Sequence, residues 1–109
     1  MIEEKRKRLR INIAFPVECS YSKTISFFTT SKDLSLDGIK ILCGNPLDKG
    51  KKLKLNINLI SDNITALAQV VWCNKLSSPD RYYAGLQFLE VPSESKNQLS
   101  QFLSQIYNA

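Results

Sequence analysis

Between Ile11 and Tyr21 the apolar side chains fall at every second position: Ile11, Ile13, Phe15, Val17, Cys19 and Tyr21, with Asn12, Pro16, Glu18 and Ser20 between them. A period of two predicts a strand with one buried face. Pro16 has no N–H for a ladder hydrogen bond, so the pattern predicts an edge or bulged strand. After Ser22-Lys23 a β-branched and aromatic run from Thr24 to Thr30 continues towards Ser35 as a second strand. Asp37-Gly38 reads as a tight reversal into a third, Ile39 to Cys43. Gly44-Asn45-Pro46 and Asp48-Lys49-Gly50 bracket a loop. Beyond it Leu53, Leu55, Ile57 and Leu59 alternate with Lys52, Lys54, Asn56 and Asn58, the cleanest amphipathic strand in the chain. Ile64 to Leu76 makes a fifth strand, and Ser77-Ser78-Pro79-Asp80 turns it into a sixth, Tyr82 to Val91.

Only the end of the chain changes period. Leu99, Phe102, Leu103 and Ile106 are spaced i, i+3, i+4, i+7, after Pro92 and an expected N-cap at Ser93 with Glu94 in the first turn. That predicts a helix of about four turns with one apolar face that must pack on something. Six short strands followed by one terminal helix predict a mainly β fold, a six-stranded antiparallel β-barrel or sandwich with a C-terminal α-helix docked on it. The expected organisation is a single domain: a basic N-terminal arm over 1–10, the β-barrel over 11–91 and the C-terminal helix over 92–109. No internal repeat or low-complexity linker interrupts it.

Composition narrows the class. The 109 residues are 43% hydrophobic and 23% charged, ordinary for a globular domain and unlike a disordered or membrane protein. No apolar run approaches the ~18 residues a transmembrane helix needs. The basic start followed by Ile11 resembles a signal peptide only in outline, because Asn12, Pro16 and Glu18 interrupt the apolar run. There is no His, which removes Ser-His-Asp and Cys-His catalysis and the commonest metal ligand. Cys19, Cys43 and Cys73 are odd in number, far apart and without a C-x-x-C, so they read as reduced, packed thiols of a cytoplasmic protein rather than a metal site.

Charge is unevenly placed. Lys5, Arg6, Lys7, Arg8 and Arg10 face only Glu3 and Glu4 within the first ten residues, whereas the rest of the chain carries ten cations against eight carboxylates. Three of the four arginines lie in this arm, and Arg81, the fourth, reads as a surface residue. Arg6-Lys7-Arg8-Leu9-Arg10 contains R-x-x-x-R just before the first strand. Taken alone, it is a solvated or nonspecific anion-binding arm. Asp33-Leu34-Ser35-Leu36-Asp37-Gly38 is D-x-S-x-x-G at a strand-to-strand turn. Its plain reading is a hairpin in which Asp33 and Ser35 hydrogen-bond nearby backbone.

In this order the two patterns resemble the PilZ family of bacterial cyclic di-GMP receptors. The family pairs R-x-x-x-R at the start of the domain with D/N-x-S-x-x-G some twenty to thirty residues later. Here the interval runs from Arg10 to Asp33. Tyr83-Ala84-Gly85-Leu86-Gln87-Phe88 is similar to the Gly-apolar-x-Phe segment of such domains, and Val70-Val71-Trp72 resembles the strand before it. The resemblance therefore extends from Arg6 to the terminal helix and implies a closed barrel, a cyclic di-GMP ligand and no catalysis.

The ligand chemistry agrees with the residue types. Cyclic di-GMP offers two guanines and two phosphodiesters, and a guanidinium can fork onto guanine O6 and N7, pair with phosphate or stack on a base. The resemblance implies that Arg6 and Arg10 grip guanine and phosphate from a mobile arm. It implies that Asp33 accepts the guanine N1–H and N2–H, that Ser35 adds a hydroxyl, and that Gly38 keeps a side chain away from a strained turn or from the ligand. Lys5, just before the motif, and Arg8, inside it, are possible additional contacts. Trp72, Tyr82 and Tyr83 read as barrel-packing aromatics, although adjacent Tyr82 and Tyr83 must point to opposite faces.

The expected mechanism is a switch, in which the arm orders over the barrel when a dianionic ligand gives its arginines partners. Ordering costs about 1–2 kcal/mol per residue, so several charge-assisted contacts are required. With only five residues before Arg6, output is expected through a separate effector protein or through oligomerisation, with no metal, no membrane insertion and no nucleic acid. The alternatives are a small barrel binding nucleic acid through its arm, opposed by the absence of an interleaved basic and aromatic stripe on the strands, and a PilZ-like protein-interaction module that does not bind the nucleotide. An enzyme is disfavoured, since no nucleophile–base pair or metal cluster stands out.

Overall fold

The computed structural model describes residues 10–108, so Lys5, Arg6 and Arg8 lie outside the described residues. Six strands and one helix follow in order: β1 Pro16–Ser20, β2 Ser26–Leu34, β3 Gly38–Cys43, β4 Lys52–Asn58, β5 Asn63–Lys75, β6 Tyr82–Glu90 and α1 Ser93–Asn108. They form a closed barrel in the order β1-β2-β3-β6-β5-β4, with every neighbouring pair antiparallel. Closure is made by β1 against β4, with Val17 opposite Ile57 and Cys19 opposite Leu55. Alternation sets the inside: Val17, Cys19, Leu53, Leu55, Ile57, Ile64, Ala68, Val70, Ile39, Ile41, Ala84 and Leu86 fill one core.

Closure corrects the expectation that β1 is an edge or bulged strand, since its register with both neighbours is unbroken. It has partners on both sides, and Pro16 is tolerated because it is the first residue of the strand, where no ladder N–H is lost. The alternating residues before it leave the ladder. Ile11 bridges Leu34 through two backbone hydrogen bonds of 2.9 and 3.0 Å. Ser31 then serves the residues that follow: its hydroxyl donates to the Ile13 carbonyl at 2.6 Å and accepts the Phe15 N–H at 2.9 Å. A buried side-chain hydroxyl thus replaces the pairing that Pro16 interrupts.

The helix closes one end of the barrel. Leu99 is 1% exposed within the core, and the Phe102 ring meets Phe15 edge to face with centroids 5.3 Å apart. The first helical hydrogen bond runs from the Lys96 N–H to the Pro92 carbonyl at 2.8 Å. Pro92 therefore takes the N-cap position expected for Ser93, one residue earlier. Ser95 instead accepts the Thr65 N–H at 3.1 Å and ties the first turn of α1 to β5. Among the described residues no helix is long and apolar enough to cross a membrane.

The three cysteines are free. Burial, with a smaller contribution from Cys43 and then Glu18, pushes the Cys19 thiol up to about 12, and burial followed by the neighbouring Cys73 pushes Cys43 up to about 11. Both side chains are packed as neutral thiols. Their contribution to stability is complete below the unfolded value of 9.0 and is lost as the pH rises towards the folded values, because only the unfolded chain ionises readily there. The urea midpoint is expected to fall between about pH 9 and 11, and more weakly in Cys19→Ala measured against its own midpoint at pH 8. Truncating the helix anchor, Leu99→Ala, should lower the unfolding free energy by about 2–5 kcal/mol in urea titrations, since it leaves a cavity between α1 and the barrel.

Candidate functional site

The turn that joins β2 to β3 is built by its own side chains. The Ser35 N–H donates to the Gly38 carbonyl at 2.9 Å, and the Ser35 hydroxyl accepts from the Asp37 and Gly38 N–H groups, each at 3.2 Å. Ser35 is 2% exposed. Its hydroxyl is directed into the turn, not onto the cleft described below. Gly38 is required for a close approach, not for an unusual dihedral: a Cβ there would strike the Leu86 carbonyl oxygen of β6. The tight β3–β6 contact fixes where the turn sits.

That turn positions Asp33. A register shift between Ser31 and Asp33 sets Asp33 opposite Lys40. The carboxylate, with a side chain 8% exposed, is bracketed by two cations: Arg10 Nη1 lies 2.9 Å from Oδ1 and Lys40 Nζ 3.3 Å from Oδ2. Burying a carboxylate is costly unless its oxygens are paired, and here each oxygen has a cation. Because the Arg10 side chain is 51% exposed, its pair contributes roughly 0–1 kcal/mol and can exchange for other partners at little cost. The two motifs, 23 residues apart in sequence, meet at this contact.

The rest of the wall is a single transverse row. Asp33 on β2 faces Lys40 on β3, Lys40 faces Gly85 on β6, and Gly85 faces Trp72 on β5. The row reads carboxylate, ammonium, bare backbone, indole. Trp72 belongs to it because of a second register shift, between Val70 and Trp72. Before the bulge Ile64, Ala66, Ala68 and Val70 point inward; after it Trp72 is 38% exposed and Cys73 turns towards the core. Trp72 thus packs on the barrel as expected of it, but on the outer wall and not in the core. Its indole covers Gly85, where any Cβ would overlap Nε1 and Cε2.

Arg10, Asp33, Asp37, Gly38, Lys40, Trp72, Gly85 and Gln87 line a cleft of about 510 Å³ on this wall. A larger groove of about 670 Å³ crosses β1, β4, β5 and the end of β6 and is lined by Glu18, Lys54 and Glu90 with no aromatic ring and no guanidinium. Of these two, the first cleft combines the groups that a base and a phosphate require. Of the sequence candidates the structure brings Arg10, Asp33 and Gly38 to this cleft, sets Ser35 behind it and leaves Arg81 exposed beside Phe27, Phe28 and Leu42. Tyr82 packs against the core, whereas Tyr83 lies under the Lys40 ammonium, 5.6 Å from the ring centroid. Lys40 is an addition that the sequence reading did not name, and Gly85, Trp72 and Gln87 are residues that it placed in strands without assigning them to the site. Among the described residues there is no group of three His, Cys, Asp or Glu able to hold a metal ion.

The PilZ domain family model matches residues 4–105. Among solved structures, the chain superposes on the Bacillus subtilis inhibitor of motility MotI/DgrA with a TM-score of 0.79 at 19% identity, covering 92% of this chain and 50% of that one. On the PilZ domain of YcgR from Escherichia coli, solved with c-di-GMP, the TM-score is 0.73 at 17% identity, with 92% and 89% covered. On the K. pneumoniae MrkH–c-di-GMP complex it is 0.72 at 16% identity, with 92% and 51% covered. The chain thus spans about half the length of the first and third of these proteins. At these identities the likeness establishes the fold. A comparison with curated proteins finds no match.

The chain has one tryptophan, so its emission reports this wall directly. Gly85→Ala is expected to lift the indole off β6, shift the emission to longer wavelength and cost about 1–3 kcal/mol in urea unfolding. An unchanged spectrum in the folded variant would contradict the packing described.

Proposed function

This chain belongs to the PilZ domain family, and on that premise we propose that it is a cyclic di-GMP receptor that acts as an adaptor, binding the dinucleotide in the cleft between Arg10, Asp33 and Trp72. The observation that carries the reading is the 2.9 Å contact from Arg10 to Asp33, which joins R-x-x-x-R to D-x-S-x-x-G at one point on the barrel wall. A guanine has two adjacent donors, N1–H and N2–H, that match the two oxygens of a carboxylate. Asp33 presents such a pair at the back of the cleft. Arg10, released from Asp33, forks onto the guanine O6 and N7 edge or a phosphate. The indole of Trp72 offers a face for stacking.

Arg6 completes the motif from outside the described residues, and Lys5 and Arg8 add cations there for the second phosphodiester. The basic arm over 1–10 closes on the ligand, and that closure is the switch. Ser35 and Gly38 act indirectly, Ser35 by holding the turn and Gly38 by letting β3 approach β6. Output passes to a separate effector protein. Two of the structural neighbours are named as complexes with c-di-GMP and one as an inhibitor of motility, which supports a signalling role of this kind. Three unpaired thiols suit the cytoplasm.

Calorimetric titration with cyclic di-GMP tests the reading, with cyclic di-AMP, GTP and a short oligonucleotide as controls. Binding at micromolar or lower concentration is expected, with quenching or shift of the Trp72 emission. Arg10→Ala and Asp33→Ala should each weaken it by at least about tenfold, the scale of one charge-assisted contact. Asp33→Ala is the more telling variant, because losing a carboxylate would not weaken a purely electrostatic contact to nucleic acid. No binding by the folded wild type would overturn the proposal, as would tighter binding of the oligonucleotide.

A further inference from the structure

Lys40 is the one cation of the transverse row, and its place there follows from register. The shift between Ser31 and Asp33 aligns it with Asp33, and β3–β6 pairing sets it beside Gly85. Its side chain is 29% exposed, so the stem lies along the wall and the ammonium stands within the cleft. From one position it makes two contacts: 3.3 Å to Asp33 Oδ2 and 5.6 Å to the centroid of the Tyr83 ring. A lysine head changes partners easily, because the stem is flexible and the charge has no fixed bonding plane.

Charge counting shows what it does. Among the described residues, the charged side chains lining the cleft are Arg10, Lys40, Asp33 and Asp37. These four balance. Without Lys40 the described wall would carry one guanidinium against two carboxylates, a net negative charge that repels a doubly anionic ligand. A guanine that donates two hydrogen bonds to Asp33 also takes over Oδ2, the oxygen that Lys40 holds. The displaced ammonium is then in a partly enclosed cleft beside a phosphodiester.

We propose that Lys40 is a further ligand-binding residue of this cleft, exchanging the Asp33 carboxylate for a phosphodiester oxygen when a guanine occupies Asp33. The proposal rests on the reading of the cleft as a cyclic di-GMP site. In the free chain Lys40 keeps the buried carboxylate paired; in the complex it neutralises phosphate, with the Tyr83 face beneath it. The exchange leaves neither Asp33 nor Lys40 unpaired in either state, so the site is preformed and yet open to its ligand.

The test is calorimetric titration with cyclic di-GMP of wild type, Lys40→Met and Lys40→Arg, at ionic strengths from about 0.05 to 0.5 M. Lys40→Met keeps the stem and removes the charge; its thermal midpoint verifies folding, and Lys40→Gln repeats the test if Met disturbs the surface. Expected are a loss of about tenfold or more in Lys40→Met at low salt, retention within about threefold in Lys40→Arg, and a flatter salt dependence in Lys40→Met than in wild type. A wild type that binds with Lys40→Met unchanged overturns the role of Lys40 and leaves the cleft assignment standing. Weaker binding with an unaltered salt dependence makes Lys40 a mere prop for Asp33 and also overturns it. A folded wild type that binds nothing overturns the cleft reading and this inference together.

Discussion

Six strands can close on themselves only if each finds two partners, and the contact of β1 with β4 is where that condition is met. Closure confines the inward side chains to a small fixed volume, so the interior is almost wholly aliphatic and small: Val, Leu, Ile, Ala and thiols. Aromatic side chains do not fit well inside so narrow a barrel. They are displaced to its ends, as with Phe15 against Phe102, or to its outer wall, as with Trp72 and Tyr83. Closure also removes sheet edges, which leaves the wall as the surface on which recognition can be built.

On that wall the pivot is Asp33. A carboxylate this enclosed needs partners whether or not a ligand is present, and Arg10 and Lys40 supply them one oxygen each. The same need explains why the turn after it is so heavily stapled: Ser35 spends its hydroxyl on the turn backbone, and Gly38 gives up a side chain so that β3 can lie against Leu86. On the proposed reading of the cleft, stability and recognition share these residues. Within D-x-S-x-x-G, therefore, Ser35 and Gly38 work by placing Asp33.

The features visible in the sequence are those set by local pattern. Leu53, Leu55, Ile57 and Leu59 announce β4, and the spacing of Leu99, Phe102 and Leu103 announces the packed face of α1, because both follow from geometry repeated within a few residues. Arg10 and Asp33 are legible through paired motifs. Lys40 and Trp72 are not, since each enters the site through a register shift in pairing with another strand, and such shifts leave no periodic trace. Pro16 misleads for a related reason. Locally it argues for an edge, and only the ladder with β4 shows that its missing donor falls at the strand's first position.

The bulge at Val71 takes one residue out of the ladder, so that Val70 stays opposite Leu86 and Trp72 opposite Gly85. Loss of that residue would restore strict alternation and keep both pairs, with Trp72 still outside and Cys73 still inside. A one-residue deletion here is thus absorbed by the strand, whereas the same deletion within a regular stretch of β5 would reverse the facing of the residues beyond it. Length can therefore vary at this bulge while the interior sequence and the aromatic wall both stay as they are.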